Sequence, residues 1–211
     1  MVYLEKFTGW GNKISENHRD IHLICENYGI KNYTINSDGL VDVGGYVNLS
    51  QCRMSEIPIK FGRVSGDFYC DYNRLTTLDG SPSYVGGIFV CRGNGLTTLE
   101  GGPIEVEGDF HCDCNKLSSL KGCPQSVGGL FNFNDNNIVT MDYFTEGVSA
   151  IWCSSNPIQE IYRVFKNTKL FIDSLDWNYM RGDEIFKSRF VEACEEAGVR
   201  VPNRIRGYEY I

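Results

Sequence analysis

Five residues with chemically useful side chains lie together in mid-chain: Asp109, His111, Cys112, Asp113 and Cys114. In an extended strand alternate residues share a face, which would place His111 between two carboxylates as a general base. The two cysteines are the neighbouring candidates for a nucleophile. Catalysis would also need an oxyanion donor and an enclosed pocket, and the sequence identifies neither. We therefore expect no catalytic residue and a protein that is not an enzyme.

A second pair of candidate ligands is His18 and His22, four residues apart on a predicted helix, as two zinc ligands can be. The sequence offers no companion pair of ligands, so we expect solvated helix residues and no metal site. The glycines follow no strand-to-helix pattern that would cradle a phosphate, and they mark turns instead. The sequence predicts no cofactor.

The elements that position these residues belong to a repeat with a spacing of 21 residues. Its most regular column is Val43, Val64, Val85, Val106, Val127 and Val148. The three best copies share the frame V-x-G-x-F-x-C-x-x-N-x-L-x-x-L-x-G-x-P, and the flanking copies keep part of it. A unit of this length cannot enclose a core alone, so successive copies must stack. The sequence predicts a solenoid of about six coils.

Stacking turns each constant position of the frame into a ladder. The predicted core ladders are Phe68, Phe89, Phe110, Phe131; Leu75, Leu96, Leu117, Ile138; and Cys70, Cys91, Cys112, Cys153. An amide is costly to bury unless it is hydrogen-bonded, so the asparagine column is expected to bond backbone groups and to be structural. That column is Asn73, Asn94, Asn115, Asn136 and Asn156.

The repeat from Val43 to Ile161 resembles the short leucine-rich repeats of uncharacterised proteins from tailed bacteriophages and their bacterial hosts. The resemblance implies an α/β solenoid: a leucine-rich-repeat arc whose short parallel strands form a concave sheet. It implies recognition of another molecule as the mode of action and names no ligand. A host factor or a component of antiviral defence, which the protein would inhibit, is a sensible target if the protein is phage-encoded.

Helical caps are expected at both ends of this solenoid. Before it, residues 1–42 form an N-terminal cap, with a helix over Ser15–Tyr28 and a hairpin that turns at Asp38-Gly39 and joins the first coil. The solenoid is expected over residues 43–165 and ends with a helix from Pro157. A C-terminal cap, residues 166–211, contains a helix from about Asp183 to Ala197. We expect all three parts to form one structural domain.

Composition narrows the classes of partner. The chain has 20 basic and 27 acidic residues, a net charge of −7, and no dense Lys/Arg run, so nucleic acid is not an expected partner. No apolar stretch reaches the length of a membrane span, and Met1–Gly11 lacks the pattern of a signal peptide. The nine cysteines suit free thiols in a reducing compartment. We expect a cytoplasmic protein, in the host cytoplasm if it is phage-encoded.

Outward-facing strand residues vary from coil to coil, unlike the core columns. The predicted partner-binding residues are Tyr46, Asn48, Asp67, Tyr69, Asp71, Ile88, Val90, Arg92, Asp109, His111, Leu130, Asn132 and Trp152. They would form an apolar and aromatic patch with an acidic rim, which is typical of a protein interface. Arg92 would lie between Asp71 and Asp113, as in a charge ladder. Alternatively, the C-terminal cap folds back over Leu130 and Trp152.

Two functions fit these features. The first is a non-catalytic module that binds a protein through its concave face. The alternative is a structural part of a larger complex, which self-assembles as a homo-oligomer through a cap or an edge of the solenoid. Fold alone does not decide between them. A change at Tyr69 and Val90 should abolish binding under the first, and a change on the cap should alter the mass in solution under the second.

Overall fold

A computed structural model describes residues 18–145, 148–165, 180–181 and 184–211. The repeats wind into a β-solenoid of about seven turns, six of which contribute a strand to one sheet. Helices are few and lie before and after the coils. Within the described ranges, no helix has the length and apolar character needed to cross a membrane. The expected solenoid with a parallel sheet is confirmed.

The first five coils each carry two short strands on either side of a glycine corner, and the described part of the last coil carries one. These strands form two sheets. Sheet A contains, in spatial order, β1 (Tyr33–Ile35), β2 (Val41–Val43), β4 (Phe61–Val64), β6 (Tyr84–Val85), β8 (Glu105–Val106) and β10 (Ser126–Val127). Sheet B contains β3 (Val47–Asn48), β5 (Phe68–Tyr69), β7 (Phe89–Val90), β9 (Phe110–His111), β11 (Leu130–Asn132) and β12 (Ala150–Trp152). All pairings are parallel except that of β1 with β2. The sequence predicted β1 and β2 of sheet A as a hairpin, but it did not predict the later strands of this sheet.

The phenylalanine ladder lies on the inner side of sheet B. The rings of Phe68 and Phe89 stack with centroids 5.4 Å apart, and those of Phe89 and Phe110 stack at 5.3 Å. These separations follow the strand spacing of about 4.8 Å. Phe131 meets Phe110 edge to face at 5.2 Å, an arrangement that aromatic rings also favour. The four rings and the leucine ladder are fully buried, which confirms the predicted core.

The asparagine column joins neighbouring coils through the backbone. The Asn94 side-chain amide donates to the carbonyl of Cys70 in the preceding coil at 3.1 Å and to that of Cys91 in its own coil at 3.0 Å. Its Oδ1 accepts from the N–H of Leu75 at 3.0 Å. Asn115, like the other members, repeats this pattern. The structural role predicted for the column is confirmed.

The N-terminal cap agrees with its prediction where the structure describes it. Helix α1 spans His18–Asn27, and the earlier part of the expected helix lies outside the described residues. The hairpin pairs Tyr33 with Val43, and β2 then pairs with β4, so the hairpin joins the first coil as expected. After the coils, helix α2 spans Ile158–Phe165 and buries Ile158.

The C-terminal cap contains a small sheet as well as a helix. Its elements are β13 (Met180–Arg181), β14 (Glu184–Ile185), helix α3 (Lys187–Glu196) and β15 (Glu209–Tyr210). The helix expected from Asp183 therefore starts later, because β14 pairs with β15 and Phe186 is extended. Phe190 and Cys194 form the buried stripe of α3, as predicted. The hydroxyl of Tyr208 donates to the carbonyl of Val139 at 2.8 Å, which ties this cap to the turn side of the solenoid.

Candidate functional site

The predicted binding residues lie on the outward side of sheet B, which we call the outer face. The strand register places Asn48 opposite Tyr69, Val90 opposite His111, and Asn132 opposite Trp152. The flanking positions come from residues just before and after these strands. The flanking members are Tyr46, Asp67, Ile88, Asp109 and Leu130 on one side and Asp71 and Arg92 on the other. The predicted residues therefore belong to one face, but Asn132 is buried within it and is not available for direct contact with a partner.

Exposure differs along this face. Tyr46 is 68% exposed at one end and Trp152 is 55% exposed at the other, whereas Tyr69, Ile88 and Val90 in the centre are half-buried. The central side chains therefore form a continuous apolar strip, with aromatic groups standing out at its ends. Trp152 is therefore not covered by the part of the C-terminal cap that the structure describes.

The acidic rim has a structural role that the sequence had not indicated. Asp67 Oδ1 accepts from the N–H of Ile88 in the next coil at 2.8 Å, and its Oδ2 accepts from the Tyr69 hydroxyl at 2.9 Å. Asp109 repeats this two coils later, with Oδ1 bonded to the N–H of Leu130 at 2.8 Å. Each of these two carboxylates therefore holds the next coil in place.

Neighbouring coils consequently alternate. A coil with aspartate at this position is followed by a coil with Gly-Gly and an apolar residue, first Ile88 and then Leu130. The glycine is required, because a Cβ at Gly87 would overlap Asp67 Oδ1, and a Cβ at Gly129 would overlap the corresponding atom of Asp109. The structural unit of the outer face is thus a pair of coils, and charged and apolar groups alternate along it.

Asp113 is the centre of a polar network beside the apolar strip. Its side chain is only 5% exposed, and Oδ2 lies 2.8 Å from Nε of Arg92. Its Oδ1 accepts from the side-chain amide of Asn132 at 3.1 Å, and that amide lies 3.3 Å from Nδ1 of His111. A buried carboxylate needs such partners to offset its desolvation. The network fixes the orientation of three of the predicted binding side chains.

Arg92 is held by one of its two expected neighbours. The Asp113 carboxylate raises the pKa of the Arg92 guanidinium above its ordinary value, which keeps the cation charged. Asp71 accepts from the hydroxyl of Ser50 at 2.5 Å. The charge ladder predicted from the sequence is therefore formed as an Arg92–Asp113 pair, in which the Arg92 side chain is about half exposed.

Tyr72 is a surface residue of this region that sequence reasoning missed. Its ring is about half exposed and lies over Gly93 of the next coil, with the Arg92 guanidinium carbon 5.6 Å from the ring centroid. A Cβ at Gly93 would lie 2.7 Å from Tyr72 Cδ1. Tyr72 itself has a left-handed backbone with φ of 51°, as do the equivalent residues of other coils. The isolated glycine at position 93 was the signal that a side chain lies above it.

The geometry does not assemble an activated nucleophile around His111. Burial raises the pKa of the Cys112 thiol well above its ordinary value, so the thiol stays protonated at neutral pH. Desolvation also raises the pKa of Cys114, whose sulfur lies 3.6 Å from Asp113 Oδ2. His111 lies 3.7 Å from Asp109 and is part of the structural network. Neither Cys112 nor Cys114 is therefore held as a reactive thiolate beside His111.

The metal hypothesis gains no support from the described residues. Within residues 18–145, 148–165, 180–181 and 184–211, no three His, Cys, Asp or Glu side chains come together as a metal site would require. His22 Nδ1 lies 2.6 Å from the Tyr33 hydroxyl, so this imidazole has a structural partner. The side chain of His18 lies outside the described part. All nine cysteines are free thiols.

Comparisons with known proteins add no function to this geometry. No family model, curated protein or solved structure matches the chain.

Proposed function

We propose that the protein is a non-catalytic interaction module that binds a protein partner through the outer face of sheet B. One observation carries this proposal: the inner column of the sheet is phenylalanine in four successive coils, while the outer columns change from each coil to the next. The sheet needs the inner side chains to stack, and nothing in its own packing requires Tyr46 or Trp152 to be exposed aromatics. Residues that vary over a constant scaffold are typical of a surface shaped for a partner.

The chemistry of the face suits a protein surface. Tyr69, Ile88 and Val90 supply a central apolar strip, and Arg92 stands beside it with its orientation fixed by Asp113. Aromatic side chains and arginine are the residues that most often anchor interfaces. A side chain already held in place loses less conformational entropy on binding, so the polar network supports affinity without touching the partner.

Finer parts of the proposal rest on the resemblance of the repeats. We assign the coils to the leucine-rich-repeat class, with the asparagine turn and L-x-x-L segment of that class and a second strand in each coil. On the same basis we propose a phage-encoded protein that acts in the host cytoplasm on a host or defence protein. The net charge of −7 supports a protein partner over nucleic acid.

The test compares two double variants in an affinity capture from bacterial lysate. Tyr69→Ala with Val90→Asp alters the centre of the outer face. Tyr84→Ala with Ile104→Asp makes the same chemical changes on the sheet A side, where Ile104 is 53% exposed. We expect a protein, identified by mass spectrometry, to be retained by the wild type and the control and lost by the first variant.

Circular dichroism melts of all three proteins must overlap within a few degrees for the comparison to count. Equal retention by the outer-face variant and the wild type would contradict the proposal. Loss with the sheet A variant instead would move the binding surface to the other side of the coil.

A further inference from the structure

The last coil leaves strand β12 at the edge of sheet B. In the preceding coils the inner residue of this sheet is fully buried, as for Phe110 and Phe131, but Ile151 in β12 is only partly buried. Ala150 and Trp152, which flank it on the outer face, are both exposed. The end of the sheet is therefore less covered than its interior, although helix α2 covers the adjacent turn.

Backbone groups show which part of this end is open. In the interior, three N–H groups of each coil donate to carbonyls of the next coil. For one pair of coils these bonds, at 2.9 to 3.0 Å, run from Phe89 to Asp109, from Cys91 to His111 and from Gly93 to Asp113. The equivalent donors of the last coil are the N–H groups of Ile151, Cys153 and Ser155. Ser155 donates to Oε1 of Gln159 in α2 at 3.2 Å.

The other two donors point past the end of the sheet. In the part of the chain that the structure describes, the N–H groups of Ile151 and Cys153 have no acceptor. By the parallel pattern of the earlier coils, the carbonyl of Ile151 points the same way. An edge with open N–H and C=O groups is a template for a further strand.

We propose that β12 pairs with β12 of a second copy of this chain, antiparallel and around a two-fold axis that passes between the two Ile151 residues. In an antiparallel ladder, two directly opposed residues can exchange both of their N–H···O=C bonds. Ile151 presents both groups at the edge and so forms this central pair. The pairing joins the two copies of sheet B into one continuous sheet.

The side chains explain why the occupant is a second copy. Antiparallel pairing about Ile151 places the small side chain of Ala150 in each copy opposite the large side chain of Trp152 in the other. These are positions without backbone bonds, where opposed side chains approach most closely. Ala150 is the smallest residue of its column, and Trp152 is the largest of its own. The strand is thus complementary to itself.

The absence of charge on strand β12 is also consistent with a second copy of the chain as its partner. Strand β12 contains no ionisable side chain, so two chains that each carry a net charge of −7 can meet there without opposing like charges directly. An isologous contact of this kind closes as a dimer, because it uses the β12 edge of both copies. Independently of this contact, the remainder of the outer face stays open in each copy.

Sedimentation equilibrium of the full chain, over the micromolar range, tests the proposal. We expect a dimer for the wild type and a monomer for Ala150→Glu, which places a carboxylate against the indole of the other copy. The matched control is Tyr46→Glu, which adds the same charge at an exposed position of the same column at the far end of the sheet. It should sediment as a dimer.

A second variant, Trp152→Ala, removes the large partner without adding charge and should weaken the dimer at least tenfold. A monomeric wild type, or a dimer that survives Ala150→Glu in a folded protein, would overturn the proposal. Open-ended association lost in both glutamate variants would overturn it in favour of head-to-tail stacking of β12 on β3.

Discussion

The inner and outer sides of sheet B share one backbone, but the inner side repeats one residue type and the outer side does not. On the inner side, Phe68, Phe89, Phe110 and Phe131 repeat because each ring must fill the same space above the last. On the outer side, Tyr69, Val90 and His111 succeed one another with no common size or charge. The difference teaches that stacking alone dictates the interior, so variation on the other side of the same strands reflects demands beyond the fold.

The largest effect should come from emptying the phenylalanine ladder. Phe110→Ala removes a fully buried ring between two stacked neighbours and should lower the free energy of unfolding by roughly 3–5 kcal/mol. Urea denaturation measures this loss. Tyr46→Ala on the outer side should change stability by less than about 0.5 kcal/mol. Similar losses for both variants would break the contrast between the two sides.

The next effect concerns the asparagine column. Asn115→Ala leaves the N–H groups of Leu96 and Asn94 without their acceptor, and the carbonyls of Cys91 and Cys112 each lose one of two amide donors. We expect a loss of about 3 kcal/mol, since each buried group left unpaired costs about 1–3 kcal/mol. The control is Asn137→Ala, which replaces an exposed asparagine outside this column. A loss below about 1 kcal/mol for Asn115→Ala would show that water replaces the amide.

A smaller loss of stability should distinguish the hydrogen bond that Asp109 accepts from the effect of its negative charge. Asp109→Ala removes the acceptor for the N–H of Leu130 and should cost about 1 kcal/mol, whereas Asp109→Asn keeps an oxygen acceptor and should cost less. Equilibrium denaturation compares the two variants. If both lose the same stability, the negative charge matters more than the hydrogen bond, and the coil-to-coil role of Asp109 is wrong.

The last effect is a pH dependence of stability that involves the inner side and appears only at alkaline pH. Burial raises the pKa of the Cys153 thiol from its ordinary value of 9.0 to about 11. A raised pKa means that the folded state holds the proton more tightly, so this stabilisation is complete below pH 9 and is lost as pH rises through 11. The melting temperature of the wild type should fall between these values.

The Cys153→Ala variant isolates this contribution from that of the tyrosines, which also ionise at alkaline pH. Its melting temperature should fall less steeply than that of the wild type. Parallel curves for the two proteins would show that the thiol is solvated in the folded state, contrary to its burial.

Much of the fold could be predicted because the same packing requirement recurs in every coil. Phe89 or Asn94 alone would carry little information, but the same residue type at one spacing identifies a stacked, buried position. Sheet A beyond the hairpin escaped prediction because its strands after β4 have only two residues each, such as Tyr84–Val85, and the hydrophobic pattern of so short a strand is not distinctive.

The site was predictable only in outline. Alternation placed Tyr69, Val90 and His111 on one face, because side chains in a strand point to opposite sides in turn. The bond from Asp67 to the next coil could not be foreseen, since it depends on a backbone N–H that a glycine corner brings within reach. Tyr72 was missed because its left-handed backbone breaks the alternation on which the prediction relied.

The pairing of coils limits how this protein can change in length. A duplication of one coil would either bring two aspartates side by side at the strand spacing of about 4.8 Å, or leave two apolar coils without a carboxylate between them. A duplication of two coils would preserve every bond of the kind that joins Asp67 to Ile88. Lineages and designed variants of this solenoid should therefore grow and shrink in steps of two coils.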